Sequence, residues 1–338
     1  MGLSSTDCHE NEESLDPNLR AVLIENSLSF EKLLFRNPRK GRWTILVAGE
    51  DETNRYVLKW SSPNSPSSAR DAFRNEIEFY NTRCDSPIVL SAVRTTERML
   101  LLPYFEGTSL RDFLSIQLGT GDFDEPPFDE IEAVLDLVYR RILDFYCKRP
   151  LSEGTGTELS QELMTRWTKL LLSGPMQKSR SQIEERISHI FWNCFAGRVA
   201  KDLTQSVSSH EESRLFLGKG LVHGDLHYNN ILVSEDIREA CLIDFENLES
   251  DGFWVADLAY LHTMVLALFH FSPKEQERID TILHRKLADQ EVGLDKAFGE
   301  IIRPLYTAAI QNRRFLGIVT KKQATQAWIA ALKRSLGW

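Results

Sequence analysis

The sequence predicts an α+β protein with two lobes: a small antiparallel β-sheet lobe with one helix, and a larger lobe that is mainly α-helical. Short strand-like segments before residue 105 are interrupted by one segment of helical periodicity, whereas helical periodicity dominates from Gly107 onward. With 338 residues, 42% of them hydrophobic, the chain is long enough to bury a core in each lobe.

The small lobe is expected to span residues 17–105, after a disordered acidic tail at 1–16. Its strand candidates are short, rich in β-branched, aromatic and aliphatic residues, and separated by polar turns. They are KLLFRN, WTILVAG, RYVLKW, IVLSAVRTT and RMLLLPYF. Between the third and the fourth, ARDAFRNEIEFYNTR carries Phe73, Ile77 and Tyr80 at helical spacing, which predicts the single helix.

The larger lobe is expected to span residues 106–338. Its helix candidates carry apolar residues every three or four positions. They are SLRDFLSIQL, FDEIEAVLDLVYRRILDFYCK, LSQELMTRWTKLLLS, SQIEERISHIFWNCFAGRVAKDL and the segments from Glu275 onward. The stretch LVHGDLHYNNILV, residues 221–233, differs: two short apolar runs flank a polar, turn-rich centre, which suggests a small hairpin.

Charge and cysteine content exclude several classes of function. The net charge of −9 argues against a nucleic-acid partner, which would require a basic surface. The five cysteines are scattered without a C-x-x-C pair, so neither a disulfide framework nor a zinc site is expected, and a cytoplasmic location follows.

No stable membrane association is expected either. The longest apolar stretch, residues 258–271, is too short to span a bilayer and is expected to form a buried helix. The first residues, MGLSST, fit an N-myristoylation pattern, but an acidic flank follows that would not help to hold an anionic membrane.

Three polar residues in and after the 221–233 stretch have a spacing typical of phosphoryl transfer. Asn230 follows Asp225 by five residues, and Asp244 follows Asn230 by fourteen. Kinase catalytic loops place an Asp five residues before an Asn, with a metal-binding Asp further on. Such a site needs a carboxylate to accept the hydroxyl proton and oxygen ligands to hold magnesium.

These residues make the sequence resemble the aminoglycoside phosphotransferase and choline kinase superfamily. HGDLHYNNIL is similar to its H-G-D-x-H-x-x-N-I-L loop, LIDFE to its metal-binding I-D-[FWY]-E segment, and VADLAYL to the D-[LIV]-A element that follows. The resemblance implies a bilobal protein-kinase-like fold, ATP and Mg²⁺ as cofactors, and transfer of the γ-phosphate to a hydroxyl of a small molecule.

The resemblance also implies roles in the larger lobe, residue by residue. Asp225 would be the catalytic base, and Asn230 and Asp244 would be magnesium ligands. His223 would steady the loop, and Asp257 would brace it from the next helix.

In the small lobe, Lys59 resembles the strand lysine that contacts the nucleotide phosphates. Its implied helix partner is Glu76, which fits the family's position; a helix turns Glu78 roughly 200° away from Glu76 at ~100° per residue. The sequence departs from the kinase pattern in having no G-x-G-x-x-G. The phosphate loop would be RNPRKGRWT, with Gly41 as its flexible point and Arg39, Lys40 and Arg42 as phosphate neighbours.

Adenine would be bound by backbone groups near Tyr104, in the hinge Pro103–Phe105.

Two alternatives stay open. An atypical protein kinase is disfavoured because twelve residues between Asp244 and Asp257 leave no room for a long activation segment. A non-catalytic pseudokinase that binds a nucleotide or a partner is disfavoured because Lys59, Asp225, Asn230 and Asp244 are all present.

Overall fold

The structure is a computed structural model that describes residues 12–51, 53–82, 86–119, 128–147, 151–159, 161–163, 165, 217–268, 271 and 273–289. These residues form two compact units. The first contains the described residues up to Glu106 together with Cys241–Leu248. The second contains the described residues of Gly107–Ala240 and those from Glu249 onward.

The elements of the described residues are numbered here in chain order. The strands are β1 Ser29–Asn37, β2 Arg42–Ala48, β3 Arg55–Ser61, β4 Arg94–Thr96, β5 Met99–Pro103, β6 Thr108–Ser109, β7 Ser152–Glu153, β8 Gly218–Val222, β9 Ile231–Val233, β10 Ala240–Leu242 and β11 Glu249–Phe253. The helices are α1 Pro17–Glu25, α2 Ser67–Asn81, α3 Leu110–Gly119, α4 Phe128–Cys147, α5 Trp254–Leu268 and α6 Pro273–Ala288.

The first unit is built on a five-stranded sheet in the order β1-β2-β3-β5-β4, with every pair antiparallel. Side chains alternate between the faces of a strand, so cross-strand partners share a face. Trp43 lies opposite Trp60, and Ile45 lies opposite Leu58. All four side chains are buried in one core cluster, which confirms the predicted antiparallel sheet.

Helix α1 is a second helix in the first unit, so the prediction of a single helix was wrong. Asp16 caps it by accepting a hydrogen bond from the Asn18 backbone N–H at 2.9 Å, and Pro17 occupies the first turn. Leu15, Leu19 and Leu23 are buried in the sheet's core cluster. The predicted disordered tail therefore extends too far, since Leu15 and Asp16 belong to the fold; residues 1–11 lie outside the described part.

The segment Cys241–Leu248, expected in the larger lobe, belongs to the first unit. Its Leu242 backbone N–H donates to the Ile88 carbonyl at 2.7 Å. The Phe245 ring stacks on Phe79 of α2 with 4.1 Å between the centroids. Backbone pairing and aromatic packing thus hold this segment against the first unit, a long-range contact that local sequence patterns do not encode.

The second unit is mainly helical, as predicted. Side chains join α4 to α6: Arg278 Nε donates to Glu132 at 2.7 Å, and Arg285 donates to Asp136 at 2.7 Å. The buried helix predicted at 258–271 is observed as α5, with somewhat different bounds. Its described side chains are almost all buried. No helix of the described residues is long and apolar enough to cross a membrane.

The hairpin predicted at 221–233 does not form. Strand β8 pairs with β11 and β7, whereas β9 pairs with β6, so the two apolar runs lie in different sheets. The runs have the composition of strands, but composition does not determine the pairing partner. The helices predicted within 166–216 and beyond 289 lie outside the described residues.

We predict that helix α1 contributes to the stability of the first unit. The Leu19 side chain is 0% exposed, so Leu19→Ala should lower the free energy of unfolding by about 2–5 kcal/mol through lost burial and a cavity. Ile24 on the same helix is 78% exposed, so Ile24→Ala should change it by at most about 0.5 kcal/mol. Urea unfolding measures both, and equal effects would contradict the packing of α1.

Candidate active site

In the first unit, one lysine joins a strand, a helix and the Cys241–Leu248 segment. Lys59 Nζ on β3 donates to Glu76 Oε1 of α2 at 2.6 Å and to Asp244 Oδ1 at 3.2 Å. The Lys59 side chain is 14% exposed and that of Glu76 is 0% exposed. The structure thus brings together three of the predicted site residues, whereas Glu78 is exposed on the other side of α2.

Negative charge dominates the surroundings of this lysine. Burial disfavours the ammonium, but the Glu76 and Asp244 carboxylates outweigh it and raise the pKa of Lys59. Burial also raises the pKa of Glu76, opposed by Lys59 and reinforced by Asp244. The neighbouring carboxylates thus account for the raised pKa of Lys59, whereas burial is the main cause of the raised pKa of Glu76.

Asp244 adopts a backbone conformation that aspartate rarely takes. Its φ of 68° and ψ of 61° lie in the left-handed region, just before the 3₁₀ turn Phe245–Asn247. The following Phe245 N–H donates to Glu76 Oε1 at 3.3 Å, so the turn is tied to the lysine pair. A residue held in such a conformation is common at functional sites.

Glu246, two residues after Asp244, is a site residue that the sequence analysis missed. Its oxygens accept from Arg42 Nη1 at 2.7 Å and from Lys40 Nζ at 3.0 Å. Carboxylate oxygens of Glu76, Asp244 and Glu246 lie within 4.8 Å of one another. The acid of the LIDFE segment was visible in the sequence, but its pairing with Lys40 on the β1–β2 turn and with Arg42 at the start of β2 was not.

The predicted phosphate loop has a different arrangement from the one expected. Arg42 is buried: it also donates to the Ala69 carbonyl, and its guanidinium lies 4.2 Å from the Phe73 ring centroid. Arg42 therefore anchors Glu246 and α2, and its assignment as a phosphate neighbour stays a prediction. Gly41 has a φ of 61°, and its carbonyl accepts from the Ser62 N–H at 2.8 Å, which fixes the turn.

The predicted adenine hinge uses one of its donors inside the sheet. The Tyr104 N–H donates to the Arg55 carbonyl at 2.9 Å, and Pro103 has no N–H to offer. The Tyr104 ring is 38% exposed. Of the hinge, only the groups after Tyr104 could donate from the backbone to a base.

In the second unit, buried hydrogen bonds hold the start of the 221–233 loop. Asp257 Oδ2 of α5 accepts from the Gly224 N–H at 3.1 Å and from the Tyr146 hydroxyl at 2.7 Å. The same hydroxyl accepts from the His223 N–H at 3.4 Å. Gly224 has a φ of 74°, which favours glycine. Asp257 therefore braces the loop from the next helix, with Tyr146 as a partner the sequence did not reveal.

The side chains of Asn230 and His227 hydrogen-bond to the backbone of the same loop. Asn230 is buried, and its Nδ2 donates to the Asp225 carbonyl at 3.0 Å, which leaves the amide oxygen as the atom able to bind a cation. His227 Nδ1 accepts from the Asn229 N–H at 3.1 Å, so in the neutral ring the proton sits on Nε2. That nitrogen lies 3.8 Å from Asp225 Oδ2.

Each of the two predicted magnesium ligands carries an oxygen of the kind that Mg²⁺ prefers. Within its own unit, Asp244 has a carboxylate and Asn230 has an amide oxygen. Glu76 Oε2 is buried and makes no hydrogen bond within the described residues. Burial of this carboxylate oxygen without a partner is unfavourable, and a nearby cation would offset that cost.

We predict that Lys59 and Glu76 are energetically coupled. Lys59→Met leaves Glu76 as an uncompensated buried charge, so it should lower the free energy of unfolding by about 3–5 kcal/mol. Adding Glu76→Gln should recover most of that loss. Lys32→Met, at an exposed lysine of the same sheet, is the control and should change it by at most about 0.5 kcal/mol. Chemical denaturation of Lys59→Met, Glu76→Gln, the double variant and Lys32→Met measures the coupling, and additive losses in the double variant would contradict it.

Solved structures of known proteins share this fold. A protein of Thermobifida fusca assigned as a fructosamine-3-kinase matches with a TM-score of 0.50 and 15% identity, over 93% of this chain and 98% of that one. An ethanolamine kinase of Plasmodium vivax matches with a TM-score of 0.49 and 15% identity, over 97% and 89%. At such identities the likeness concerns the fold alone, and by the match to the Thermobifida fusca protein the predicted protein-kinase-like fold is confirmed.

The sequence itself matches one family model. No curated protein matches the chain. Residues 128–291 match the model of the phosphotransferase enzyme family, and this range contains Asp225, Asn230, Asp244 and Asp257. The resemblance indicated by the HGDLHYNNIL loop is therefore confirmed: over residues 128–291 this chain has the sequence pattern of the phosphotransferase enzyme family.

Proposed function

We propose that this protein is an ATP-dependent phosphotransferase that moves the γ-phosphate to a hydroxyl of a small molecule. The observation that carries the proposal is the Lys59 ammonium, held at 2.6 Å from buried Glu76 and 3.2 Å from Asp244. A lysine fixed between a helix glutamate and a metal-type aspartate is the arrangement with which kinases hold a nucleotide triphosphate. The family match over residues 128–291 supports the same reaction class.

Asp225 is the proposed catalytic base. It would accept the proton of the acceptor hydroxyl as that oxygen bonds to the γ-phosphorus and the bond to the β–γ bridging oxygen breaks, releasing ADP. Its side chain is 21% exposed, so it is open to substrate. His227, whose Nε2 lies 3.8 Å from Asp225 Oδ2, would orient this carboxylate, a role that the sequence left without assignment.

Asp244 and Asn230 are the proposed ligands of Mg²⁺. When bound with ATP, the ion neutralises charge on the phosphates. Lys59 would contact the phosphates, with Glu76 fixing its position. The adenine would be bound by the backbone after Tyr104, where Phe105 and Glu106 have N–H groups that no hydrogen bond of the described backbone uses.

The proposed acceptor class is a small alcohol, and the proposed compartment is the cytoplasm. Relatives in fold include an ethanolamine kinase and a protein assigned as a fructosamine-3-kinase, so amino alcohols and sugar derivatives are the first acceptors to test. The twelve residues between Asp244 and Asp257 disfavour a peptide acceptor.

The proposal is tested with γ-labelled ATP, Mg²⁺ and a cytosolic extract, after separation of small molecules from macromolecules. We expect label in a small molecule. Label in protein would identify an atypical protein kinase instead. Nucleotide binding without any transfer would identify a non-catalytic nucleotide-binding protein.

Asp225→Asn should reduce turnover at least about a hundredfold, because it removes the proton acceptor, and should leave ATP binding unchanged. Asp129→Asn is the matched control, since the Asp129 side chain is 98% exposed and distant in sequence from the loop. Turnover is followed as label transfer and ATP binding by calorimetry. Full turnover in Asp225→Asn would remove this residue as the base.

Tyr146→Phe should lower kcat roughly tenfold with little change in KM for ATP, because Asp257 loses a hydrogen bond that holds the loop. Tyr139→Phe is a close control: Tyr139 is also buried on α4, and its hydroxyl is hydrogen-bonded to His262 Nδ1 at 2.8 Å. Both variants should lose about 1–3 kcal/mol of stability. Only Tyr146→Phe should lose turnover; an equal loss in both would reduce the effect to general stability.

A further inference from the structure

A cavity of about 570 Å³ lies in the first unit, bounded by α2, the end of β3 and the β4–β5 turn. None of Lys59, Glu76 and Asp244 lines it. Small-molecule sites commonly occupy about 300–1,000 Å³, so the cavity has the size of a metabolite site. The proposed phosphotransfer gives it no role.

Positive charge distinguishes the lining of this cavity. Arg70, Arg74 and Arg98 contribute to it, against Glu97 as the acidic lining residue. Arg74 pairs with Asp71 at 3.3 Å, whereas Arg70 and Arg98 form no ion pair within the described residues. In a chain with a net charge of −9, a concave surface lined by three arginines favours an anionic ligand.

Hydroxyl groups add hydrogen-bond donors to the same lining. The Ser62 hydroxyl oxygen accepts from the Asn64 N–H at 3.3 Å, and the Thr96 hydroxyl oxygen accepts from the Arg98 N–H at 3.3 Å. Each hydroxyl therefore keeps its own hydrogen as a donor. Guanidinium forks together with hydroxyl donors are suited to phosphate and carboxylate oxygens.

The inner wall of the cavity is apolar. Phe73 and Ile77 of α2 line it, four residues apart on one face of the helix, and both are largely buried. Only 1% of Phe73 and 6% of Ile77 is exposed, so the arginines and hydroxyls are the groups that the cavity offers to a ligand. We propose that the cavity binds a small anion whose phosphate or carboxylate group meets the arginines.

The test is calorimetric titration of the full chain with phenyl phosphate and with benzoate, which share a ring and differ in the anion. A saturating non-hydrolysable ATP analogue is present throughout, so that a phosphate probe cannot bind at Lys59. We expect at least one probe to bind to the unmodified protein, and Arg70→Gln/Arg98→Gln to weaken that binding roughly tenfold or more. Arg94→Gln, at an exposed β4 arginine outside the lining, should bind like the unmodified protein.

The probes separate the two anion classes: binding of phenyl phosphate alone assigns a phosphate ligand, and binding of benzoate alone assigns a carboxylate. The proposal is overturned if neither probe binds the unmodified protein at millimolar concentration, or if Arg70→Gln/Arg98→Gln binds as tightly as Arg94→Gln. Circular dichroism checks folding, and Arg98→Gln alone replaces the double variant if that variant does not fold. Loss of phosphotransferase activity has no part in this readout, so the proposed function and this site can fail independently.

Discussion

The burial of the Lys59 ammonium is the constraint on which the first unit's site depends. A charge removed from water must be paired at short distance, and three separate elements meet this requirement: β3 provides the lysine, α2 provides Glu76, and the Cys241–Leu248 segment provides Asp244. The helix cannot slide along the sheet without leaving the buried Glu76 charge unpaired, and detachment of the segment would remove the second carboxylate from Lys59. Phe79 and Phe245, stacked at 4.1 Å, add apolar contact to the same junction.

Three carboxylates and three cations lie together around Lys59. Lys59 serves two carboxylates, and Glu246 lies close enough to add a third, although it is itself bound by Arg42 and Lys40. Burial is the main cause of the raised pKa of Glu76, whereas for Lys59 burial acts in the opposite direction and the neighbouring acids outweigh it. Lys59, Lys40 and Arg42 balance the three carboxylates in number, but Glu76 Oε2 is buried without a hydrogen bond within the described residues, so a cation bound beside it would be stabilised.

Local pattern was sufficient where a short range of sequence determines the structure. Short segments rich in β-branched, aromatic and aliphatic residues predicted β2, β3 and β5, and the helical spacing of Phe73, Ile77 and Tyr80 predicted α2. Contacts distant in sequence were beyond that reasoning. The polar composition of KGR suggested a phosphate loop, yet Arg42 is buried against Phe73 because Glu246, about two hundred residues later in the chain, pairs with it. The role of Tyr146 could not be predicted for the same reason: its partner Asp257 is distant in sequence, and local pattern does not distinguish it from the other buried aromatic residues of α4.

The second unit shows why rigidity and exposure are divided between neighbouring residues of one loop. Asp257 and His223 are fully buried, so the hydrogen bonds through Gly224 and Tyr146 are shielded from water and fix the backbone. Asp225, two residues after His223, keeps part of its side chain exposed, as the role of base that we propose for it would require. Asn230 returns to the interior and bonds the Asp225 carbonyl, which holds that residue's backbone while its side chain stays accessible. A proton acceptor positioned in this way gains orientation from its buried neighbours and loses no access to the acceptor hydroxyl.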